Sequence, residues 1–483
     1  MYRQNETRPN IVLINVDQMR GDCLSAAGHP VVETPYLDSL NQNGVQFTKC
    51  YSACPSCIPA RAALLTGMSQ KNHKRVGYKD GVPWNYEHTL PGELAQAGYQ
   101  AQGIGKMHFY PARSLNGFND LILHDGYMHF ERNRKNDILK IDDYLVWLKD
   151  KLGMDADHTA SGMDCNSWTV NPWPYEEQYH PTNWVVTESI DFLRRRDERM
   201  PFFLWMSFVR PHPPFDPPKN YLDMYLAKDI PGPFVGDWAR DLKMTKYLEH
   251  NAFFGNLDKG MLRRTRAAYY ALITHIDCQI GRFLIALSDN SLLDNTAIIF
   301  TSDHGELLGD HHLFRKGLPY NGSARVPLFV KLPESWKGKK NEKLSALCEL
   351  RDIMPTVLDI AGVKNPASVD GKSLLPLITG KEKGGVREYL HGEHALGEFS
   401  NHYIATEKNE KYIWYSQTGR ELFFDLNKDP NELQDLSGTP GYQKRIKYCR
   451  DLLIEELKGR EEGYSDGKKL FTGRKFVNVL VKS

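Results

Sequence analysis

Three cysteines, Cys50, Cys54 and Cys57, crowd into one short stretch. Their Cys-x3-Cys-x2-Cys spacing suits three thiolates around an iron–sulfur cluster, which would make the protein a radical enzyme. The simpler reading makes Cys50 and Cys54 small buried apolar residues and leaves the chemistry to Cys57. Two other pairs could bind a cation. Asp17-Gln18 and Asp303-His304 each set oxygen or nitrogen donors side by side, and hard divalent ions take carboxylate and amide oxygens. The imidazole of His304 also admits a softer metal such as manganese or zinc.

The elements that must position these groups follow from hydrophobic patterning. Ile11 to Val16 is a nearly continuous apolar, β-branched run, the mark of a strand buried on both faces of a parallel sheet. Further strands are expected over Tyr99–Lys106, Pro201–Val209 and Thr296–Ser302. Between them lie helical patterns, clearest over Met261–Ser288, where Ala268, Leu272, Ile276, Ile280, Phe283 and Leu287 recur on one face. Such alternation implies an α/β sheet with helices on both faces. All four strands end in polar groups: Asp17; Lys106 and His108; Arg210 and His212; Asp303 and His304. Ligands bind outside the carboxyl ends of strands in such sheets, so one shared site is expected. Cys57 leaves a loop for a helix with Pro59 in its first turn. A nucleophile there faces backbone N–H groups that favour an anion, and Arg61 points the same way.

After about Gly380 a charged stretch, Lys381-Glu-Lys-Gly-Gly, leads into a different texture. His402–Thr406 and Lys411–Tyr415 read as a hairpin, Glu421–Leu426 as a third strand, and Gln443–Leu457 as a covering helix. The expected division is a catalytic α/β domain over 1–380 and a smaller α+β domain over 381–483. The weakly periodic segment from Asp120 to Asn183 is expected to cross over the site.

Lys plus Arg number 61 against 60 Asp plus Glu, so the net charge of +1 removes the broad electrostatic case for a nucleic-acid or anionic-membrane binder. Any anion must be met by a local cluster. No apolar run approaches the roughly 18 residues of a membrane helix, so no span is expected. The polar start has no apolar signal core. Two expectations stay open: a cytoplasmic protein, or a periplasmic one whose export signal has been trimmed.

The run that starts at Cys57 is the most specific feature. Cys57-Ile-Pro-Ala-Arg-Ala-Ala-Leu-Leu-Thr-Gly resembles the signature of the type I sulfatases, members of the alkaline phosphatase superfamily. Gly105-Lys-Met-His, Arg210-Pro-His-Pro-Pro-Phe, Ser302-Asp-His-Gly-Glu and Phe314-Arg-Lys-Gly match further family motifs in order. The resemblance implies an alkaline-phosphatase-like, mostly parallel mixed sheet. It implies that a maturation enzyme converts Cys57 to formylglycine. A divalent metal, most often calcium, would lie among Asp17, Gln18, Cys57, Asp303 and His304. Arg61, Lys106 and Lys316 would neutralise the sulfate. By the same resemblance a hydroxyl of the hydrated aldehyde attacks sulfur with Asp303 assisting. His212 then protonates the departing oxygen, and His108 drives sulfate release.

Gln18 departs from the family's usual second aspartate, which brings in a runner-up, a phosphonate monoester or phosphodiester hydrolase of the same superfamily. For the substrate, Trp173, His180, Trp184, His391, His394, His402, Arg315 and Tyr320 supply rings and cations suited to a carboxylated sugar. The motif set looks most like bacterial glycosaminoglycan exo-sulfatases that remove the 2-O-sulfate of a terminal unsaturated uronic acid.

Overall fold

The computed structural model describes residues 8–125, 138–163, 165–241 and 249–481. Its main sheet has nine strands: β1 (Asn10–Asp17), β2 (Val45–Tyr51), β3 (Gln100–Gly105), β4 (Asp120–Leu123), β5 (Phe202–Pro211), β6 (Thr296–Ser302), β7 (Arg325–Val326), β8 (Leu328–Lys331) and β9 (Glu342–Glu349). The order is β4-β3-β5-β1-β6-β8-β2-β7, with β9 also on β2. The five strands from β4 to β6 run parallel, β8 runs against them, and β2, antiparallel to β8, returns to their direction. β1, β5 and β6 are buried along their whole length, as continuous apolar runs require when helices cover both faces.

Pleat alternation divides the core. Val12, Ile14 and Val16 pack with Leu204, Met206 and Phe208 on one face, while Ile11 and Leu13 pack with Phe203 and Trp205 on the other. The first face is covered by α2 (Pro181–Arg195) and α3 (Lys259–Asp289), the second by α1 (Cys57–Thr66) and α4 (Ile353–Ala361). All six residues of the helical stripe read over Met261–Ser288 enter the first core. By length and composition α3 could cross a membrane, but most of its apolar window is buried inside the protein.

α3 also caps a neighbour. The helix Pro35–Gln42 receives no side-chain cap from Thr34; instead Asp277 accepts from the N–H groups of Leu37 at 2.8 Å and Tyr36 at 3.2 Å. Burial outweighs these bonds and pushes the Asp277 carboxyl from 3.8 up to about 7. The native state therefore keeps a proton that the unfolded chain releases near 3.8, and stability falls as pH rises between the two values. Asp277→Asn is expected to flatten this slope. Thermal melts of both proteins from pH 5 to 8 check it, and parallel profiles would contradict it.

The second sheet, in order β10 (Tyr389–His394), β11 (Asn401–Thr406), β12 (Glu410–Tyr415) and β13 (Glu421–Asp425), is antiparallel throughout. On one face α5 (Gln443–Glu456) covers Ile404, Tyr412, Trp414 and Phe423. On the other, Tyr403, Ile413 and Phe424 join Tyr51, Trp238 and Tyr320 of the larger unit in a shared cluster. The expected fold class holds. Strands β2, β4, β7, β8, β9 and β10 were not legible, because polar residues such as Gln46, Thr48 and Lys49 interrupt their patterns or the strands are very short. The segment 120–183 contributes edge strand β4 and the first residues of α2; of its residues, 126–137 and 164 lie outside those described.

Candidate active site

Cys57 is the first residue of α1 and is buried. β2 and the loop after it deliver it to the carboxyl ends of β1, β3, β5 and β6. α1 stops at Gly67, whose φ of 64° is the left-handed conformation of a helix C-cap. The Cys57 sulfur lies 3.2 Å from His304 Nε2, 3.4 Å from Lys106 Nζ and 3.7 Å from Asp17 Oδ1. Ligand atoms of Asp17, Cys57, Asp303 and His304 all fall within 4.8 Å of one another.

Each of these side chains is oriented by a partner. His304 Nδ1 is 3.0 Å from the Gly305 carbonyl, an acceptor, so Nδ1 carries the hydrogen and the Nε2 lone pair faces the cluster. Arg61 is buried; its Nε donates to Asp303 at 3.1 Å and its Nη1 to Ser207 Oγ at 2.9 Å and to the Lys106 carbonyl at 2.5 Å. The same guanidinium thus ties α1 to the ends of β3, β5 and β6. Lys106 ion-pairs with Asp17. Burial opposes ionisation of Asp17, but the Lys106 ammonium, with the Arg61 guanidinium, holds its carboxyl well below the usual range. Gly105 is required before Lys106: at φ 98° it passes so near Ser207 that a Cβ would meet that carbonyl oxygen.

Lys316 and His212 form a second group. Lys316 Nζ donates to Gln18 Oε1 at 2.6 Å and to His212 Nε2 at 2.7 Å. His212 Nδ1 lies 2.8 Å from the Pro213 carbonyl, so it bears the ring hydrogen. Burial and the Lys316 ammonium push the His212 pKa well below its ordinary value. His108, at φ 62°, completes the floor. Burial works against its imidazolium, but hydrogen bonds to Asp80 and Cys57 raise its pKa overall. Arg210 belongs instead to a buried bidentate pair with Asp216, at 2.6 and 2.7 Å.

A family model described as Sulfatase matches residues 9–363, and one described as N-sulphoglucosamine sulphohydrolase, C-terminal, matches residues 309–459. The chain belongs to the sulfatase family. It is 56% identical over 473 residues to an arylsulfatase of Clostridium perfringens, covering 96% of this chain and 98% of that protein. It is 31% identical to the multifunctional alkaline phosphatase superfamily protein PehA of Trinickia caryophylli, covering 91% of this chain and 93% of that one. Among solved structures, the phosphonate monoester hydrolase of Agrobacterium radiobacter superposes with a TM-score of 0.76 at 28% identity, over 93% of this chain and 96% of that one. The protein is a sulfuric ester hydrolase.

In this sulfatase the floor opens into a cavity of about 590 Å³. Of the rings and cations expected to meet the sugar, only His394 and Arg315 line it, beside the expected sulfate contacts Lys106, Lys316 and His212. Trp173, His180, Trp184 and Tyr320 are buried elsewhere: His180 caps α2 by accepting from Thr182 N–H at 3.1 Å, and Tyr320 stacks on Trp238. His391 and His402 also miss the cavity, for a reason set by the pleat. On β10, Leu390, Gly392 and His394 share the face toward the larger unit, while His391 and Glu393 face α5, where His402 pairs with Glu393 in register. The iron–sulfur reading fails on geometry. Cys50 sits beside Cys348 in the β2–β9 ladder and Cys54 is buried near Glu393, and no ligand cluster among the described residues joins either to Cys57.

Several groups that matter to the sulfatase site were not singled out from the sequence. Asp125 accepts from the N–H groups of Met107 at 3.1 Å and His108 at 3.0 Å, holding the turn that presents His108. It stands two residues past β4, another strand end with an acid, and that signal could have found it. Tyr78, Asp80, Phe253, Phe476 and Asn478 form the walls with Cys165 and Asn166 of the 120–183 segment. The C-terminal tail returns to the site through Asn478, whose carbonyl accepts from Val76 N–H at 3.0 Å.

Proposed function

We propose that this sulfatase removes sulfate from a terminal ring of a sulfated sugar, with Cys57 acting as formylglycine. The observation that carries the reading is the convergence of His304, Lys106, Asp17 and Asp303 on one side chain at a helix N-terminus, at the floor of a cavity. The donor set suits a divalent ion. Two buried carboxylates and a neutral imidazole with its lone pair turned inward offer what calcium or manganese takes. Asp17, Asp303, His304 and the side chain at 57 would hold the metal. Gln18 Oε1, bonded to Lys316, retains a second lone pair that suits the same ion. Bound there, the metal would supply Lewis acidity to the nucleophile and to a sulfate oxygen, and the hydrated formylglycine would supply a nucleophilic hydroxyl with a geminal partner.

The remaining roles belong to the chain's own residues. Arg61 fixes Asp303 and the end of β3, so the acidic and basic groups keep register. Lys106 and Lys316 place positive charge where the transferring group gains negative charge, and burial makes that charge more effective than it would be in water. His108, with Asp80 behind it, is placed to accept a proton beside position 57. The departing oxygen needs a proton, for which the sequence suggested His212. In the structure His212 Nε2 accepts from Lys316, so the proposed acid is the Lys316–His212 pair, with the proton resting on Lys316.

For the sugar, Arg315 and His394 in the cavity lining suit a carboxylate, and Tyr78, Phe253 and Phe476 offer ring faces. These support a 2-O-sulfated terminal uronic acid, the unsaturated form included. A second reading rests on Gln18: a phosphonate monoester or phosphodiester hydrolase with the same machinery, in keeping with what the Agrobacterium radiobacter structure is called. Assay of the matured enzyme on an aryl sulfate, an aryl phosphonate monoester and a panel of sulfated disaccharides separates them. The expected result is that sulfate esters lead in kcat/KM by about two orders of magnitude or more. A lead for the phosphonate monoester would reverse the assignment.

A further inference from the structure

We propose that Glu306 is a positioning residue that acts through Gln18 on Lys316; this rests on the reading of Lys316 as a sulfate and leaving-group contact. Glu306 lies in the Ser302-Asp-His-Gly-Glu motif and is buried. One carboxylate oxygen accepts from the backbone N–H groups of Leu308, at 2.9 Å, and of Arg315. The other accepts from Gln18 Nε2. On the far side of the same carboxamide, Gln18 Oε1 accepts from Lys316 Nζ at 2.6 Å, and that ammonium also donates to His212.

The amide has one workable orientation. An ammonium can only donate and a carboxylate can only accept, so the Gln18 nitrogen must face Glu306 and its oxygen must face Lys316. Turning the amide over would set donor against donor at the half-buried Lys316 contact and acceptor against acceptor at the buried Glu306 contact, each costly to leave unmade. Gln18 is held equally by its backbone, at φ 69°, with its N–H donating to Asp303 at 3.1 Å. A neutral amide at position 18 satisfies both neighbours, the Glu306 carboxylate and the Lys316 ammonium. A carboxylate at position 18 would face the Glu306 carboxylate with no proton between them.

Replacing Glu306 by glutamine reverses the logic. The new oxygen would serve Leu308 and Arg315, the new NH2 would face Gln18, and Gln18 would turn to present NH2 to Lys316. Adding Gln18→Glu restores an acceptor on both sides. The experiment measures kcat and KM on an aryl sulfate, Kd for inorganic sulfate by calorimetry, and Tm for wild-type, Glu306→Gln, Gln18→Glu and the double variant, each matured. The expected result is a loss of about 10- to 100-fold in kcat/KM for each single variant, weaker sulfate binding, and substantial recovery of both in the double variant. A purely structural role would lower Tm without such rescue. Glu306→Asp, which keeps the charge but withdraws it from Gln18 by one methylene, is expected to show the same loss with the fold retained. Activity of Glu306→Gln or Glu306→Asp within twofold of wild-type, or a double variant no better than the singles, overturns the proposal. A wild-type enzyme inactive on aryl sulfates would overturn the underlying reading instead.

Discussion

Cys57→Ala is expected to lower sulfate-ester turnover by roughly 10⁴-fold or more while the protein stays folded. The side chain is the meeting point of Lys106, His304 and Asp17, and none of these replaces a nucleophile. The substitution removes one buried sulfur at the start of α1 and leaves the Arg61 contacts in place, so Tm should change little. With formylglycine as the proposed nucleophile, the same reasoning covers protein in which Cys57 stays a thiol. A serine hydroxyl could at most form a sulfate ester and a thiol an S-sulfonate, neither with a geminal hydroxyl to expel the group, so single turnover at best is expected. Sulfate release together with the mass of the peptide carrying residue 57 checks both cases. Full activity in a preparation whose Cys57 is an unmodified thiol would sink the mechanism.

Arg460→Met should destabilise the protein by about 3–5 kcal/mol, the usual cost of removing one partner from a buried ion pair. Arg460 is buried and its guanidinium donates to both Glu393 oxygens at 2.8 Å and to Glu462 at 2.6 Å. Burial opposes the charge on Glu393, but Arg460 holds its carboxyl down at about 2. Without the guanidinium two acids would be buried with no matching cation. The effect should reach the active site. β10 carries Glu393, whose backbone N–H donates to Ala53 at 2.7 Å, and His394, which bonds Ser56 at 2.8 Å, and Tyr403 donates to the Ser52 carbonyl at 2.9 Å. The second sheet therefore holds the loop that leads into Cys57. Urea unfolding of Arg460→Met and of Arg460→Met with Glu393→Gln tests this. The second change is expected to recover part of the loss, and an unchanged unfolding midpoint for Arg460→Met would contradict the account.

How much of the site was legible depends on how local its causes are. Asp17, Lys106, His108, His212, Asp303 and His304 could be read because each stands just past a strand whose apolar run is itself visible, and parallel sheets gather strand ends. Cys57 and Arg61 could be read because the run that begins at Cys57 resembles the family signature, and a helix start there suits an anion. His391, His394 and His402 looked alike in sequence, yet only His394 lines the cavity. The difference is pleat: on β10 His391 and His394 fall on opposite faces, His402 on β11 is in register with Glu393 on the face toward α5, and a one-residue change of register would exchange the faces.

The sequence by itself determined the α/β architecture, the ends of its central strands and the residues that converge on Cys57, because burial on both faces writes itself into runs of a few residues. Only the tertiary structure decided the rest. Asp80 behind His108, Glu306 behind Gln18, and the C-terminal tail laid against Val76 are contacts between segments far apart in the chain, formed by polar loops without periodicity. Such loops take their conformation from the surfaces they meet. The crowded cysteines are the plainest case: three neighbours in sequence, which the turn from β2 into α1 sends to three different environments.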